Sequence, residues 1–209
     1  MIMQAILNPQ AIETESFRII EEELGSHTFS PEMLAIVRRA IHATADFDFA
    51  KTIRIYPGAI AAGIAAIRRG VPIIADVQMI QAGINKKGLA SFGSEVFCFI
   101  GEEEVAKKAK SLGVTRAIVS MRKAATYYPG AIYAIGNAPT ALLELIRLAE
   151  KAQPSLVVGV PVGFVSAVES KAQLVETTLP YITALGRKGG TPVAVSMMNA
   201  LIKLAGELA

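Results

Sequence analysis

The sequence predicts an α/β protein in which helices cover both faces of a parallel β-sheet. Short apolar runs, such as Val96–Ile100 and Leu156–Val158, alternate along the chain with longer segments of helical periodicity. Continuous apolar runs are typical of strands that are buried on both faces. Because 52% of the 209 residues are hydrophobic, the chain can bury a large core, and we expect a single domain over residues 1–209.

Two helices are predicted before the alternation begins. The first spans roughly Ala11–Leu24 and ends at Gly25, a residue common at helix ends. The second begins at Ser30-Pro31-Glu32, where a capping serine precedes a proline at the first helical position, and continues to about Thr44.

The alternating part follows these two helices. Its predicted strands are Thr52–Ile55, Pro72–Ala75, Val96–Phe99, Ile132–Ile135, Leu156–Val160 and Tyr181–Leu185. The predicted helices between and after them are Gly58–Arg69, Val77–Ala82, Glu103–Ser111, Thr115–Ala125, Pro139–Lys151, Ser166–Glu176 and Pro192–Leu208.

Three loops at the predicted carboxyl ends of strands are rich in glycine and proline. They have the sequences GNAPT (136–140), PVGFV (161–165) and GRKGGTP (186–192). Parallel sheets bind ligands at this edge, and helix N-termini there present N–H groups suited to carboxylates. Each loop alone is typical of a tight turn, and the three together are equally consistent with a binding crevice.

The motifs of several enzyme classes are absent from the sequence. It contains neither GxxxxGK[ST] nor GxSxG, and no GxGxxG follows a strand. The two histidines are far apart and form no cluster with cysteine, so we expect no metal site and no cofactor.

Composition also bears on location. No apolar stretch approaches the ~20 residues of a membrane-spanning helix, and we find no secretory signal at the N-terminus. The single cysteine, Cys98, lies in an apolar run, which is typical of a buried thiol in a reducing compartment. We therefore expect a cytoplasmic protein that does not bind membranes.

His42 is the candidate for proton transfer. On a helix, Arg39 and Asp46 share its face, at spacings of three and four residues. We expect the arginine to favour the neutral imidazole, and Asp46 or a bound polyanion to favour the charged form. A histidine that caps a helix end explains the same pattern.

Several of these segments resemble the precorrin-8X methylmutase family. The resemblance rests on Glu15-Ser16-Phe17, Val37–Ala43, Gly136–Leu142, the pair Pro161–Val165 and Glu169-Ser170-Lys171, and Gly186–Gly190. It runs in order from about Ser16 to Asn199, and the GNAPTAL and PVGF…ESK motifs are its most specific parts.

The resemblance implies a flavodoxin-like three-layer fold, a homodimer and an isomerase of cobalamin biosynthesis. The reaction would move a methyl group from C-11 to C-12 of a tetrapyrrole, precorrin-8X or cobalt-precorrin-8, to give hydrogenobyrinate or cobyrinate. The proton donor or acceptor of the family falls on His42. The expected substrate-binding residues are Ser16, Arg39, Arg116, Gly136, Asn137 and Arg187.

Other functions stay open at this point. A tetrapyrrole carrier would use the same crevice without needing an acid at His42. The isoelectric point near 9.0 permits nucleic-acid binding, but only 6% of residues are aromatic and no basic run contains them, so we expect no nucleic-acid partner. A flavin-binding redox protein is suggested by the fold class alone.

Overall fold

A computed structural model describes residues 7–207 and contains a six-stranded sheet surrounded by helices. The strands are β1 (Ile53–Ile55), β2 (Ile73–Ala75), β3 (Val96–Phe97), β4 (Ile132–Ile135), β5 (Leu156–Gly159) and β6 (Tyr181–Ala184). The helices are α1 (Pro9–Leu24), α2 (Pro31–Thr44), α3 (Asp48–Thr52), α4 (Ala59–Arg68), α5 (Gln78–Gly83), α6 (Lys86–Ala90), α7 (Glu103–Leu112), α8 (Arg116–Tyr127), α9 (Pro139–Arg147), α10 (Ala149–Ala152), α11 (Ala167–Val175) and α12 (Thr191–Glu207).

The strand order is β1-β6-β5-β4-β2-β3. The five strands β2 to β6 are parallel and have the flavodoxin-like order, in which the chain direction across the sheet reverses between β2 and β4. The sheet is mostly parallel, as expected; the exception is the edge strand β1, which pairs antiparallel to β6, with Ile53 opposite Ala184. The helix α3, which immediately precedes β1, was not predicted. It ends at the edge of the sheet where the parallel strands have their carboxyl ends.

Side-chain alternation divides the core into two halves. Ile132 and Ala134 of β4 face the layer formed by α4, α5, α6 and α12, whereas Tyr133 and Ile135 face α7 to α11. The helices α1 and α2 add a further layer, since α2 packs chiefly against α12. The predicted three-layer α/β fold with extra N-terminal helices is confirmed.

Local signals placed most helices correctly. The Ser30 hydroxyl accepts a hydrogen bond from the Met33 N–H, and Gly25 ends α1 with a φ of +64°. Two short helices, α3 and α6, lie where no helix was predicted, and the segment predicted as one helix from Pro139 is divided into α9 and α10. No helix in residues 7–207 is both long and apolar enough to cross a membrane.

The glycine-rich loop after β6 packs against the loops after β4 and β5. The Gly190 N–H donates to the Val160 carbonyl at 2.8 Å, and the Gly163 N–H donates to the Arg187 carbonyl at 3.2 Å. A Cβ at Gly136 would lie 2.9 Å from the Gly190 carbonyl oxygen, and one at Gly189 would overlap the Val160 carbonyl oxygen. Glycine is therefore needed so that the three loops can meet.

Gly189→Ala should destabilise the protein by about 2 kcal/mol or more, because the φ of +156° is strained for alanine and the new methyl group overlaps a backbone oxygen. Gly206→Ala in α12 is the control, since a Cβ there meets no atom within 4 Å and should be neutral or stabilising. Urea unfolding of both variants measures the difference. Equal stability of Gly189→Ala and the wild type would contradict the packing described here.

Candidate active site

A crevice of about 500 Å³ lies where the chain direction reverses, beyond the carboxyl ends of β2 and β4. Such switch points are the usual ligand sites of open α/β sheets. Its walls come from the start of α5, the loop before α7, the start of α8 and the loop after β4. The lining residues are Asp76, Val77, Gln78, Met79, Ile100, Thr115, Arg116, Ala117, Asn137, Ala138 and Thr140.

Asp76 is fully buried at the floor of this crevice and organises the loop after β4. Its Oδ1 accepts the Gly136 N–H at 3.1 Å, and its Oδ2 accepts the N–H groups of Asn137 at 2.9 Å and Ala138 at 2.8 Å. Burial raises the pKa of Asp76, while these donors act in the opposite direction by favouring the charged form.

These contacts change one expectation from the sequence. The backbone N–H groups of residues 136–138 are occupied by Asp76, so they are not free for a substrate carboxylate. The side chain of Asn137 remains exposed at the crevice. Asp76 itself was not singled out from the sequence, although a carboxylate directly after the buried run Ile73–Ala75 marks the carboxyl end of a parallel strand.

Arg116 is the cation of the crevice, and the described residues provide it with no acidic partner within ion-pairing distance. It is exposed at the first position of α8, directly after Thr115. The Thr115 hydroxyl accepts from the Ile118 N–H and lies 3.2 Å from the Thr140 hydroxyl of α9. The start of α8 is thereby tied to the loop that Asp76 holds.

The loop after β6 adds a second basic group at the same edge of the sheet. The Arg187 guanidinium lies 5.4 Å from the ring centre of Phe164, whose side chain is 85% exposed. Beneath the loop, the fully buried Lys171 donates to the Lys188 carbonyl at 2.7 Å. Burial disfavours the charged ammonium and lowers the pKa of Lys171 to about 8.

His42 lies outside the crevice, exposed near the carboxyl end of α2. The Phe17 ring of α1 packs edge-on against it, with 5.4 Å between ring centres, and the Arg39 guanidinium lies 4.8 Å from the centre of the same ring. Ser16 is adjacent to Phe17 and half-buried. Arg39 and His42 therefore meet at the Phe17 ring, and Ser16 precedes Phe17 in α1; we call Ser16, Arg39 and His42 the helical group.

The charged residues near His42 in sequence form ion pairs with other side chains rather than with His42. Arg39 pairs with Glu13 at 2.6 Å, and Arg38 pairs with Glu21. Lys188 binds Asp46 at 2.6 Å and lowers the pKa of that carboxyl, chiefly through the hydrogen bond. This last contact joins the end of α2 to the loop after β6, and so links the helical group to the sheet edge.

Other cavities are similar in size or larger. One of about 490 Å³ is lined mainly by basic and apolar side chains of α7 to α10 rather than by strand ends. A larger, mainly apolar groove of about 720 Å³ lies between the start of α2 and α4, away from the carboxyl ends of the parallel strands. Within residues 7–207, no cluster of three or more histidine, cysteine, aspartate or glutamate side chains has the spacing of a metal site. The switch-point crevice is thus the candidate active site.

The fold and crevice define an α/β protein with a candidate small-molecule site at its topological switch point, where the exposed Arg116 is suited to an anionic ligand. A family model described as precorrin-8X methylmutase matches residues 11–204. The chain belongs to the precorrin-8X methylmutase family, which confirms the resemblance noted in its motifs.

Individual relatives cover nearly the whole chain. Cobalt-precorrin-8 methylmutase of Priestia megaterium is 52% identical over 95% of this chain and 89% of its own length. Precorrin-8X methylmutase of Pseudomonas aeruginosa is 36% identical over 94% of this chain and 96% of its own. A crystal structure of precorrin-8X methyl mutase from Thermus thermophilus superimposes with a TM-score of 0.87 at 43% identity, and covers 94% of this chain and 98% of that one.

These relatives are named as methylmutases, that is, isomerases of cobalamin biosynthesis. The prediction of an isomerase is therefore confirmed, and the enzyme is favoured over the non-catalytic carrier.

Lys171→Met should change how stability depends on pH. Since the pKa of Lys171 is about 8 in the folded protein and about 10.5 when unfolded, the unfolded chain binds more protons between these values. The free energy of unfolding of the wild type should therefore rise with pH across this window, by about 3 kcal/mol relative to Lys171→Met. Urea unfolding from pH 7 to 10 measures the difference.

Lys110→Met, which replaces an exposed lysine of α7, is the control and should follow the wild-type pH dependence. If the free energy of unfolding depends on pH in the same way for the wild type and Lys171→Met, burying the charged ammonium does not lower stability at neutral pH, and the prediction is wrong.

Proposed function

We propose that this protein catalyses the methyl shift from C-11 to C-12 of cobalt-precorrin-8 to give cobyrinate. The observation that supports it most directly is the switch-point crevice with its exposed arginine, in a chain of the methylmutase family. The cobalt form of the substrate is favoured because two relatives named for it are 52% and 48% identical to this chain, whereas three proteins named for precorrin-8X are 43%, 36% and 31% identical.

The reaction is intramolecular and redox-neutral, so the protein must supply shape, charge and a proton. Arg116 would bind a carboxylate of the macrocycle at the crevice, and Arg187 a second one at the loop after β6. Asn137 would donate through its side-chain amide. Gly136 would contribute indirectly, since its missing Cβ lets the loop after β4 meet the loop after β6.

His42 would act as the acid. Protonating the conjugated macrocycle draws electron density toward the migration terminus and favours the rearranged double bonds. One positioned acid contributes a factor of about 10²–10⁴ to the rate. Ser16 and Arg39, the other members of the helical group, would bind the portion of the substrate nearest to His42.

We further propose that the enzyme works as a homodimer in which each site combines two copies. No residue of α1 or α2 lines the crevice described here, so the helical group and Arg116 do not share one cavity within a single chain. Exposed apolar side chains lie at the same edge, among them Met79, Phe164 and Val165, and would be covered in a dimer. The helical group of one copy would then complete the crevice of the other.

Two further expectations belong to this proposal. The chain would act as one domain, because both halves of the core are built on the same sheet. The cytoplasm is the proposed compartment, where the single half-buried thiol of Cys98 would stay reduced.

His42→Ala should lower the turnover of cobalt-precorrin-8 by about 10²–10⁴-fold, because the proton donor is lost. Substrate affinity should change little, since carboxylate contacts to the arginines remain. Single-turnover absorbance changes and substrate titrations measure the two quantities. His27→Ala is the matched control, because His27 is exposed and stacks on Phe29 away from the helical group. A His42→Ala enzyme that keeps most of its rate would refute the assignment.

A mixture of His42→Ala and Arg116→Gln subunits should recover activity that neither variant has alone. In a mixed dimer with sites built from two copies, one site carries both defects and the other carries neither. Random exchange of subunits should therefore give about a quarter of wild-type activity. Activity that stays at the sum of the two separate variants, with mixed dimers verified, would place each site within one chain.

A further inference from the structure

The amide pocket formed by residues 136–138 is filled by the protein's own carboxylate. Three consecutive N–H groups at the start of a helix form an arrangement that commonly binds phosphate or carboxylate ligands. Here they converge on the two oxygens of Asp76, at 2.8 to 3.1 Å. Ala138 caps α9 without a side-chain hydrogen bond, and the Asp76 carboxylate, which comes from another part of the sheet, accepts the N–H of Ala138 itself.

Asp76 is connected to the rest of the crevice through this loop. The loop continues into α9, where the Thr140 hydroxyl lies 3.2 Å from that of Thr115. Thr115 caps α8, and Arg116 is the first residue of that helix. A shift of the loop after β4 would therefore displace Asn137 directly and Arg116 through the paired threonines.

We propose that Asp76 is a positioning residue for the methyl shift, which fixes the loop after β4 and closes its amide pocket to the carboxylates of the substrate. This inference rests on the proposed function. Because the pocket is filled, a carboxylate of the macrocycle has no backbone anion site at the floor of the crevice. The substrate carboxylates are therefore left to the exposed Arg116 at the wall.

Because the N–H groups of residues 136–138 converge on a buried side chain, their position is suited to a carboxylate such as that of Asp76. Asp76 is 0% exposed and no cation is within ion-pairing distance among the described residues. The three amide donors compensate for the free-energy cost of burying the Asp76 side chain. Each of these N–H groups loses its hydrogen-bond partner when the side-chain carboxyl group is removed. A small carboxylate added in solution has the right shape and charge to replace the deleted side-chain group.

The test is chemical rescue of Asp76→Ala by sodium formate. We expect turnover of cobalt-precorrin-8 to fall by about 10²-fold through misplacement of Asn137 and Arg116. Formate at tens of millimolar should raise the turnover of Asp76→Ala at least about tenfold, whereas formamide and sodium chloride should not raise it. Wild-type turnover should not respond to formate. A variant that turns over like the wild type, or that formate does not improve, would overturn the proposal.

A second measurement does not depend on the activity. Formate should raise the Tm of Asp76→Ala and leave that of the wild type unchanged, because only the variant has an empty amide pocket. If the wild type fails to convert cobalt-precorrin-8, the proposed function is wrong, and this Tm shift still reports whether the pocket binds a carboxylate. Stability restored without activity would mean that Asp76 only stabilises the fold, and would refute the positioning role.

Asp76→Asn provides the folding control, since it preserves the size of the side chain. Its amide presents an N–H₂ group to one of the three donors, so turnover should be impaired. It leaves no vacancy, so formate should not restore the rate. Rescue of Asp76→Asn to the same extent as Asp76→Ala would show that formate acts at another place.

Discussion

The hydrogen bonds between the Asp76 carboxylate and the loop after β4 are the contact on which the site depends. The strands β2 and β4 are neighbours in the sheet, but their connections leave in different directions, which opens the crevice. Without the Asp76 carboxylate, the three N–H groups of residues 136–138, in the loop that leads into α9, would lose these hydrogen bonds. The buried carboxylate closes the opening at its floor and leaves the wall available for a ligand.

The loops after β5 and β6 form a second support beside this one. The Lys171 ammonium donates a hydrogen bond to the Lys188 carbonyl, and the Lys188 side chain forms ion pairs with Asp46 and Asp48. One short loop therefore connects the core of the α/β layers to the end of α2. Since His42 lies one turn before Asp46, the exposed ion pair between Asp46 and Lys188 adds a weak link between the end of α2 and the sheet edge to the packing of α2 on α12.

The sequence was sufficient for most of the fold, and its failures have physical causes. Apolar runs such as Ile132–Ile135 identify strands because both faces are buried, but they carry no information on direction, so the antiparallel pairing of β1 was missed. The helices α3 and α6 have five residues each, too few for a periodic pattern. Local caps at Ser30 and Gly25 were predictable because a cap involves neighbours in sequence.

The candidate site residues could be predicted from the sequence only where they lie in segments that resemble the family. Arg116 and Asn137 lie in the same crevice, as residues that bind one ligand should, whereas the partners of Arg39 and Asp46 could not be inferred from helical spacing. Spacing on one helix does not reveal side chains that approach from α1 or from the loop after β6. Asp76 was missed for the same reason, because its three partners lie about 60 positions later in the chain.

The two edge strands of the sheet have a consequence for assembly. β1 has three residues and β3 has two, so each edge offers few free backbone groups to another polypeptide. Continuation of the sheet from one molecule into the next is therefore disfavoured, and so is aggregation by strand addition. The proposed dimer would therefore have to form through side chains rather than through strand pairing, which suits a closed pair better than an open-ended fibre.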